Sequence, residues 1–406
     1  MKLSFMGRFA TGFLAVVIAA STGSSAFAGT KTWVGAANTT TGNKWGTSAI
    51  ALTNNQFASN WSGNTNPSDV APGDNLIFGT SNQYSVQIVA PTAKVANNMT
   101  FSTAPTAYSI AGGGITLKAG IVNNSGNTAT ISSAVVLSGN QSFGGNSGLS
   151  FGSLDLKGFS LSESVDATVS SLSAGAGSSY TTTGGTTNLV AGTGPETMTV
   201  SGGTLKTGVG LDTSNTTLAV QGGTFDNGNV YNSFLNVSQS GGVLELGGLG
   251  GSVNSSQDFV MSGGSVKMYV DGNTGAAHST VAAAGLISFA GATDVKMITG
   301  PTPGLAAVGT TFNLFQGSTY AGNFSTFTLS GSAASPWGTM VKNGSEWTTG
   351  GTPVGGQYLV FQAQTGNLVV VPEPSTIVFA GLGVAMSGWT MWKKRRLSKL
   401  LAAKAG

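Results

Sequence analysis

The chain has 406 residues, 63 of them glycine, and it contains no cysteine. Disulfide bonds, thiolate catalysis and cysteine-ligated zinc sites are therefore excluded. Between positions 29 and 371, nine lysines, no arginine and thirteen acidic residues give a net charge of −4, so the excess of positive charge lies at the two ends and does not indicate nucleic-acid binding.

The first 28 residues have the pattern of a secretory signal peptide. Lys2 and Arg8 precede an apolar segment at 9–20, and the small-residue site Ala26-Phe27-Ala28 follows. A positive region, a short apolar region and a cleavage site in this order are typical of export signals, whereas a membrane-spanning helix needs a longer apolar run. We expect the Sec translocon to export the chain and signal peptidase to cut between Ala28 and Gly29.

Residues 29–110 are expected to form an N-terminal cap and the first β coils. Trp33, Trp45 and Trp61 are crowded near the start of this segment. A stacked repeat needs a cap over its first unit, and large aromatic side chains suit that purpose. Exposed tryptophans would also suit stacking on a glycan, and that second interpretation stays open from sequence alone.

A Gly-Gly phrase recurs through residues 111–290 and is the clearest internal signal. Its first glycines are 18, 20, 19 and 22 residues apart. The residues after each phrase alternate, which predicts strands with one face inward, and Gly-Gly supplies the positive φ angles of a tight corner. Leu205, Phe225, Leu244 and Val266 are expected to point to the same side. The phrases are TGGTTN at Thr183, SGGTLK at Ser201, QGGTFD at Gln221, SGGVLE at Ser240 and SGGSVK at Ser262.

A repeat of this length cannot bury its own apolar face, so copies must stack. The sequence therefore predicts an all-β protein whose body is a β-helix, or β-solenoid, rich in Gly, Ser and Thr. About nine coils are expected between positions 111 and 290, with a length of about 45 Å at ~4.8 Å per coil. A β-sandwich is the alternative fold, but its strands are expected at shorter spacing without a shared phrase.

Residues 291–371 are expected to form a small C-terminal β subdomain. Pro301, Pro303 and Gly304 mark a junction near the point where the Gly-Gly phrase fades. Apolar strands separated by glycine turns follow in VGTTFNLFQGSTYAGNFSTFTLSG and QYLVFQAQTGNLVVV.

Few residues of the body suggest catalysis. The segment 148–152 matches G-x-S-x-G around Ser150, but a nucleophile elbow needs a strand-turn-helix corner and a partner histidine. The single histidine is His278. Asp271 opens DGNTG, which resembles the start of a calcium loop but lacks its remaining ligands and is better explained as a β-turn. We therefore predict a protein that is not an enzyme and has no cofactor and no metal.

The alternative function is a secreted β-helical enzyme, a lyase or hydrolase acting on glycans. Asp271 and His278 are the residues that such an enzyme would be expected to use. Retaining glycosidases need two carboxylates close together, and the close acidic pairs in the body are Asp69 with Asp74 and Glu163 with Asp166.

The end of the chain differs from everything before it. Pro372-Glu373-Pro374 precedes the uncharged segment 375–392, and a basic cluster follows. Eighteen helical residues span about 27 Å, which is enough for a bilayer core, and the positive-inside rule keeps the cluster cytoplasmic. We predict a transmembrane helix at 375–392 and a cytoplasmic tail at 397–406. The stop-transfer cluster consists of Lys393, Lys394, Arg395 and Arg396.

Residues 372–396 resemble the PEP-CTERM sorting signal. The resemblance rests on VPEPSTIVFAGLGVAMSGWTMWKKRR, with its tripeptide, its glycine-bearing helix and its Arg395-Arg396 end, and the extension LSKLLAAKAG departs from it. It implies that an exosortase, a membrane-embedded cysteine transpeptidase, recognises Pro372, Glu373 and Pro374 at the outer face. Such signals accompany exopolysaccharide and biofilm production in Gram-negative bacteria.

The body is similar to autotransporter-associated β-strand repeat proteins, which are exported β-helical passengers. The similarity rests on YSIAGGGITLKAGIVNNSGNTATISSAVVLSGNQSF at 108–143, on the Gly-Gly phrases and on the opening segment 33–79. Together with the tail, it implies a structural or adhesive protein that is anchored briefly in the inner membrane. The protein is then expected to reach the cell surface, the outer membrane or the extracellular matrix, with extracellular polysaccharide as a partner.

Overall fold

The computed structural model describes residues 29–33, 44–45, 61–62, 74–81, 84–88, 93–272, 277–298, 306–350, 355–373 and 392. These residues form an all-β protein. Strands supply nearly all of its regular structure, and one turn of 3-10 helix lies at Ser335–Trp337.

The first half of the described chain is a series of short strands. In chain order they are β1 (Thr30–Trp33), β2 (Lys44–Trp45), β3 (Trp61–Ser62), β4 (Asp74–Phe78), β5 (Ser85–Ile88), β6 (Lys94–Phe101), β7 (Ser109–Gly112), β8 (Ile115–Asn123), β9 (Ala129–Leu137), β10 (Gln141–Gly145), β11 (Leu149–Asp155), β12 (Ser160–Glu163), β13 (Ala167–Ser173), β14 (Ser179–Thr182), β15 (Thr186–Thr193), β16 (Thr197–Val200), β17 (Thr204–Asp212), β18 (Thr217–Val220) and β19 (Thr224–Asp226).

The second half continues the series with longer connections between some strands. They are β20 (Tyr231–Phe234), β21 (Asn236–Gln239), β22 (Val243–Glu245), β23 (Ser252–Ser255), β24 (Phe259–Met261), β25 (Ser265–Asp271), β26 (Thr280–Ala283), β27 (Leu286–Phe289), β28 (Ala292–Ile298), β29 (Thr311–Asn313), β30 (Phe315–Gln316), β31 (Thr319–Gly322), β32 (Thr326–Ser330), β33 (Met340–Asn343), β34 (Glu346–Thr349), β35 (Gln357–Gln362) and β36 (Asn367–Pro372).

The body is a parallel β-solenoid of about nine turns, so the predicted β-helix is confirmed and the sandwich alternative is wrong. Parallel pairing joins each strand to the equivalent strand of the next coil; Ser179 lies opposite Thr197, and Thr197 lies opposite Thr217. These partners are 18 and 20 residues apart, which matches the spacing of the Gly-Gly phrases. The number of residues in each coil therefore determines which residues pair between neighbouring coils.

Each middle coil contributes strand segments to three faces. Face A holds segments such as 171–173 and 191–193, and its later coils form a separate sheet of β20, β23, β26 and β30. Face B holds β12, β14, β16, β18 and their successors. Face C holds segments such as 167–169 and 186–189, followed by β19, β22, β25, β28 and β32.

Inward positions on each face form apolar columns along the solenoid. On face C, Leu205, Phe225, Leu244 and Val266 are register neighbours, and all four are fully buried. The prediction that they point to one side is confirmed. Burial of such columns supplies the cohesion that a chain without disulfides needs, since each fully buried large apolar side chain contributes roughly 1.5–3 kcal/mol.

The Gly-Gly corner connects face B to face C, and its two glycines have different roles. The second glycine has a positive φ, for example 62° at Gly203 and 59° at Gly242. The first glycine does not have a positive φ. It is needed for a different reason, because a Cβ added at Gly241 would overlap the carbonyl oxygen of Gln221 in the preceding coil. The expected positive φ therefore belongs to the second glycine, and the first is required because stacked backbones approach too closely for any side chain.

Hydrogen bonds run from corner to corner along the stack. The amide of Thr204 donates to Gly185 O at 2.8 Å, and the amide of Thr224 donates to Gly203 O at 2.8 Å. Because every corner is bonded to the one before it, the coils cannot slide past one another without losing these bonds.

Both ends of the stack are covered. At the start, β1 lies between β4 and the antiparallel β3. Trp33 is fully buried, and its ring centroid lies 6.5 Å from that of Phe78. Trp33 is thus a core residue and is not available for stacking on a glycan. Side chains of Trp45 and Trp61 lie outside the described part of the structure.

At the far end, an antiparallel sheet in the order β29-β36-β35-β34-β33 packs on the last coils. The ring centroid of Phe327 in the solenoid lies 4.8 Å from that of Phe361 and 6.2 Å from that of Trp347 in this sheet. Parallel stacking continues through β32, so solenoid and antiparallel sheet share the stretch 311–330 of the chain.

No helix among the described residues is long and apolar enough to cross a membrane. The predicted span 375–392 lies outside those residues except for Trp392, and so do the signal peptide 1–28 and the tail 397–406.

We expect Gly241→Ala to lower the free energy of unfolding by about 1–3 kcal/mol, because its methyl group has no room against the preceding coil. Urea unfolding followed by tryptophan fluorescence measures the change. Gly79→Ala is the matched control, since the atom nearest to its added Cβ is 4.0 Å away. Equal midpoints for the two variants would contradict the assigned role of the first glycine.

Candidate functional site

A polar column runs along the outer side of face C. Thr130, Ser150, Thr168 and Asn188 are register neighbours in successive coils, and each is partly exposed. They come from different segments of the sequence and are brought together by the parallel register. We call these four residues the hydroxyl-amide column.

The same column continues with charged residues in the next coils. Lys206 Nζ lies 3.3 Å from Asp226 Oδ2, and Lys267 Nζ lies 2.8 Å from Glu245 Oε1. The hydroxyl of Tyr269 also donates to Glu245 Oε1 at 2.6 Å. Burial raises the pKa of Glu245, but the bonds from Lys267 and Tyr269 outweigh it and leave that pKa below its usual value. These charges are therefore largely neutralised by one another.

Two depressions lie over the hydroxyl-amide column. The first has a volume of about 510 Å³ and is lined by Thr130, Ser150, Thr168 and Asn188 together with Asp166 and other residues. The second, about 410 Å³, shares Thr168 and Asn188 and continues toward Lys206. We call the two depressions together the face C trough.

The first depression offers hydroxyl and amide groups at the repeat of the coils, roughly 4.8 Å, whereas the second adds the apolar Leu189 and Val190. Hydroxyls and amides both donate and accept hydrogen bonds, so this surface suits a ligand that carries many hydroxyl groups and no charge. Asp166 is the acidic residue of the first depression, and its carboxylate already accepts the Thr186 amide at 2.7 Å. The arrangement best supports binding of an extended, hydroxyl-rich polymer that lies along the solenoid.

The predicted acidic pair of Glu163 and Asp166 is divided between the inside and the outside of the solenoid. Asp166 is exposed, whereas Glu163 points into the core and is 1% exposed. Glu163 Oε2 accepts hydrogen bonds from the Tyr180 hydroxyl and, at 3.1 Å, from Thr187 Oγ1. Burial is the main effect on its carboxyl group and raises the pKa of Glu163 to about 7, against the two hydrogen bonds.

Ser150, the centre of the G-x-S-x-G match, lies within strand β11, which continues through Asp155. A strand interior does not provide the sharp strand-to-helix turn of a nucleophile elbow. Ser150 is instead a member of the hydroxyl-amide column.

Asp271 and His278 flank the segment 272–277, at whose end the chain returns to bridge with β25. Asp271 ends β25, and the neighbouring Val270 forms an antiparallel bridge with His278. The imidazole packs edge-on against Phe312 at 6.1 Å, and burial lowers the pKa of His278. Neither residue is among those lining the trough. The rest of DGNTG, 273–276, lies outside the described residues.

The predicted sorting residues fall at the edge of what the structure describes. Pro372 is the last residue of β36, and the amide of Glu373 donates to Gly356 O at 2.7 Å. Pro374 and the basic cluster Lys393, Lys394, Arg395 and Arg396 lie outside the described residues, as do Ala26 and Ala28. Gly29, the expected first residue after cleavage, is described.

Among the described residues, no group of three or more His, Asp or Glu side chains is placed to hold a metal ion. Asp69, a member of the other close acidic pair, lies outside that part of the chain. Comparison with known proteins gives no relative: no family model matches the chain, and neither a curated protein nor a solved structure matches it significantly.

We expect Glu163 to make stability depend on pH. Its native pKa of about 7 lies above its ordinary value of 4.5, so its favourable contribution is complete below 4.5 and is lost as the pH rises through 7. Wild type should therefore lose on the order of 3 kcal/mol relative to Glu163→Gln between pH 4.5 and 8.

Urea unfolding of both proteins across this pH range measures the difference. Glu196→Gln, at an exposed position, is the control and should follow wild type. A constant difference between wild type and Glu163→Gln at all pH values would contradict the buried-acid assignment.

Proposed function

We propose that this chain is an exported, non-catalytic structural or adhesive protein, displayed on a removable C-terminal tether and placed in contact with extracellular polysaccharide. An exosortase-type transpeptidase is its sorting partner, and the cell surface, outer membrane or matrix is its destination. The biochemical role of this protein is presentation of a rigid stacked surface.

The observation that carries the proposal is the contrast between the body and the tail. A body with little charge ends in Pro372-Glu373-Pro374, and an uncharged segment and four adjacent cations follow. A buried core helix would leave those four cations unexplained, whereas a stop-transfer segment requires them.

The last strand supports a tether at this position. β36 is hydrogen-bonded on both sides, to β29 and to β35. Pro372 and Glu373 are partly exposed at its end. Proline on either side of Glu373 keeps the backbone extended and out of a helix, which suits recognition by a peptidase-like cleft. The proposed sorting motif thus begins at the last residue of β36.

The face C trough supports the polysaccharide partner. Its hydroxyl-amide column is uncharged, and the next charges along face C form the pairs Lys206–Asp226 and Lys267–Glu245. Several weak hydrogen bonds repeated along one chain add to a useful affinity, because each contributes about 0.5–1.5 kcal/mol.

Replacing Pro372, Glu373 and Pro374 with alanine in the full chain should trap the uncleaved form in the inner membrane, because the transpeptidase loses its recognition site. Membrane fractionation and immunoblotting of the host cells measure the location and size of the protein. Glu346→Ala changes an acid of the same terminal sheet outside the motif and should be sorted like wild type. Normal arrival of the triple variant at the surface would rule out sorting through this motif.

The triple variant Ser150→Ala, Thr168→Val, Asn188→Ala should bind a neutral polysaccharide such as dextran or hydroxyethyl cellulose about tenfold more weakly than wild type, since it removes three sets of hydrogen-bonding groups. Affinity electrophoresis of the full chain in detergent measures the change. Alginate, an acidic polysaccharide, tests the preference for uncharged chains.

A matched control is available on face B. Ser162, Thr181 and Thr199 form an equivalent outer column in register. The variant Ser162→Ala, Thr181→Val, Thr199→Val removes three hydroxyl groups from another face and should bind like wild type. Equal loss in both variants would show that binding does not depend on the trough.

A further inference from the structure

The residue expected to become the N-terminus lies against a buried carboxylate. Gly29 N donates a hydrogen bond to Asp74 Oδ1 at 2.8 Å, and Asp74 is 2% exposed. The next contact fixes the pair in place: the amide of Asn75 donates to Gly29 O at 2.8 Å, where β1 begins to run parallel to β4.

In the precursor the nitrogen of Gly29 belongs to a peptide bond and offers one neutral N–H. After cleavage between Ala28 and Gly29 the same nitrogen is an α-ammonium group with three N–H donors and a positive charge. Hydrogen bonds between charged groups are roughly twice as strong as neutral ones, and a buried carboxylate gains most from a nearby cation.

Position 29 is suited to glycine for a geometric reason. A Cβ at this residue would lie 3.3 Å from Asp74 Oδ1, which is closer than ordinary van der Waals contact. Absence of a side chain therefore lets the nitrogen approach the carboxylate. Cleavage one residue earlier or later would move the ammonium group by about 3 Å or more, out of hydrogen-bonding distance.

We propose that Asp74 is a receptor site for the new α-ammonium of Gly29, so that removal of the signal peptide locks the entry strand β1 onto the solenoid. This inference rests on the proposed export and cleavage. It adds a second consequence of cleavage: processing releases the chain and also completes an ion pair at the N-terminal end of the stack.

Two lysines lie near the pair, Lys31 on β1 and Lys94 on β6, the strands on either side of β4. Lys31 Cε lies 3.9 Å from the position of a Gly29 Cβ, and Lys94 is two residues before Ala96, the strand partner of Asp74. Because a carboxylate has two oxygens and accepts several hydrogen bonds, it has room for more than one donor.

The test measures how fast the α-amine of the exported chain, purified from host membranes in detergent, reacts with an acylating reagent. An ion pair with Asp74 keeps the amine protonated to higher pH, and a rise of one pKa unit leaves about tenfold less free amine. We expect acylation at pH 7 to be roughly tenfold slower in the folded protein than in the same protein unfolded in urea.

Asp74→Asn separates charge from hydrogen bonding, because the amide oxygen still accepts from Gly29. This variant should label at nearly the unfolded rate, whereas Asp212→Asn, at an exposed position, should label like wild type. The folded-against-unfolded comparison needs no variant, so the test stands even where Asp74→Asn folds poorly. Equal labelling of folded and unfolded wild type would overturn the proposal.

N-terminal sequencing of the purified protein separates the two hypotheses. A chain that begins elsewhere than Gly29, or retains its leader, contradicts the predicted cleavage and removes the proposed lock with it. A chain that begins at Gly29 but labels rapidly contradicts the lock alone and leaves export and sorting intact.

Discussion

The coils from residue 183 to residue 266 depend on close stacking of backbone at the Gly-Gly corner between faces B and C. There the carbonyl of one coil occupies the space in which the first glycine of the next coil would carry a side chain, as Gln221 does beneath Gly241. The second glycine, with its positive φ, then turns the chain onto face C. Two adjacent glycines thus set both the spacing of the coils and the direction of each turn, and the inward apolar columns follow from that register.

A fixed register also decides where polar groups lie. Inward positions favour apolar groups, and Glu163 shows the consequence for an acid placed there. One of its carboxyl oxygens accepts two hydrogen bonds, the other has no partner among the described residues, and burial drives the group toward the neutral form. Outward positions carry no such restriction. On face C they are hydroxyl and amide groups in four successive coils and the pairs Lys206–Asp226 and Lys267–Glu245 in later ones, with Asp166 exposed beside the column.

The coil period and the inward column Leu205, Phe225, Leu244 and Val266 could be predicted from sequence because both are local features of the repeat. The hydroxyl-amide column could not, because the coils of Thr130 and Ser150 lack the Gly-Gly phrase and only the register reveals their alignment. The pairing of β29 with β36 could not be predicted from the sequence either, since it joins residues more than fifty positions apart. Features that depend on pairing between residues far apart in the sequence cannot be predicted from a local sequence pattern.

The two ends of the solenoid solve a common problem in different ways. An open strand edge exposes unpaired backbone groups and invites association with other chains. At the start a short antiparallel strand, β3, and the buried Trp33 cover the edge, and at the far end the antiparallel sheet does so. Under the proposed function the far end is also the point of attachment, and β36 suits it because a strand bonded on both sides resists being peeled away by a pull on its C-terminus. The proposed tether would thus follow one of the interior strands of the terminal sheet, and a pull on it would be resisted by the pairing with both β29 and β35.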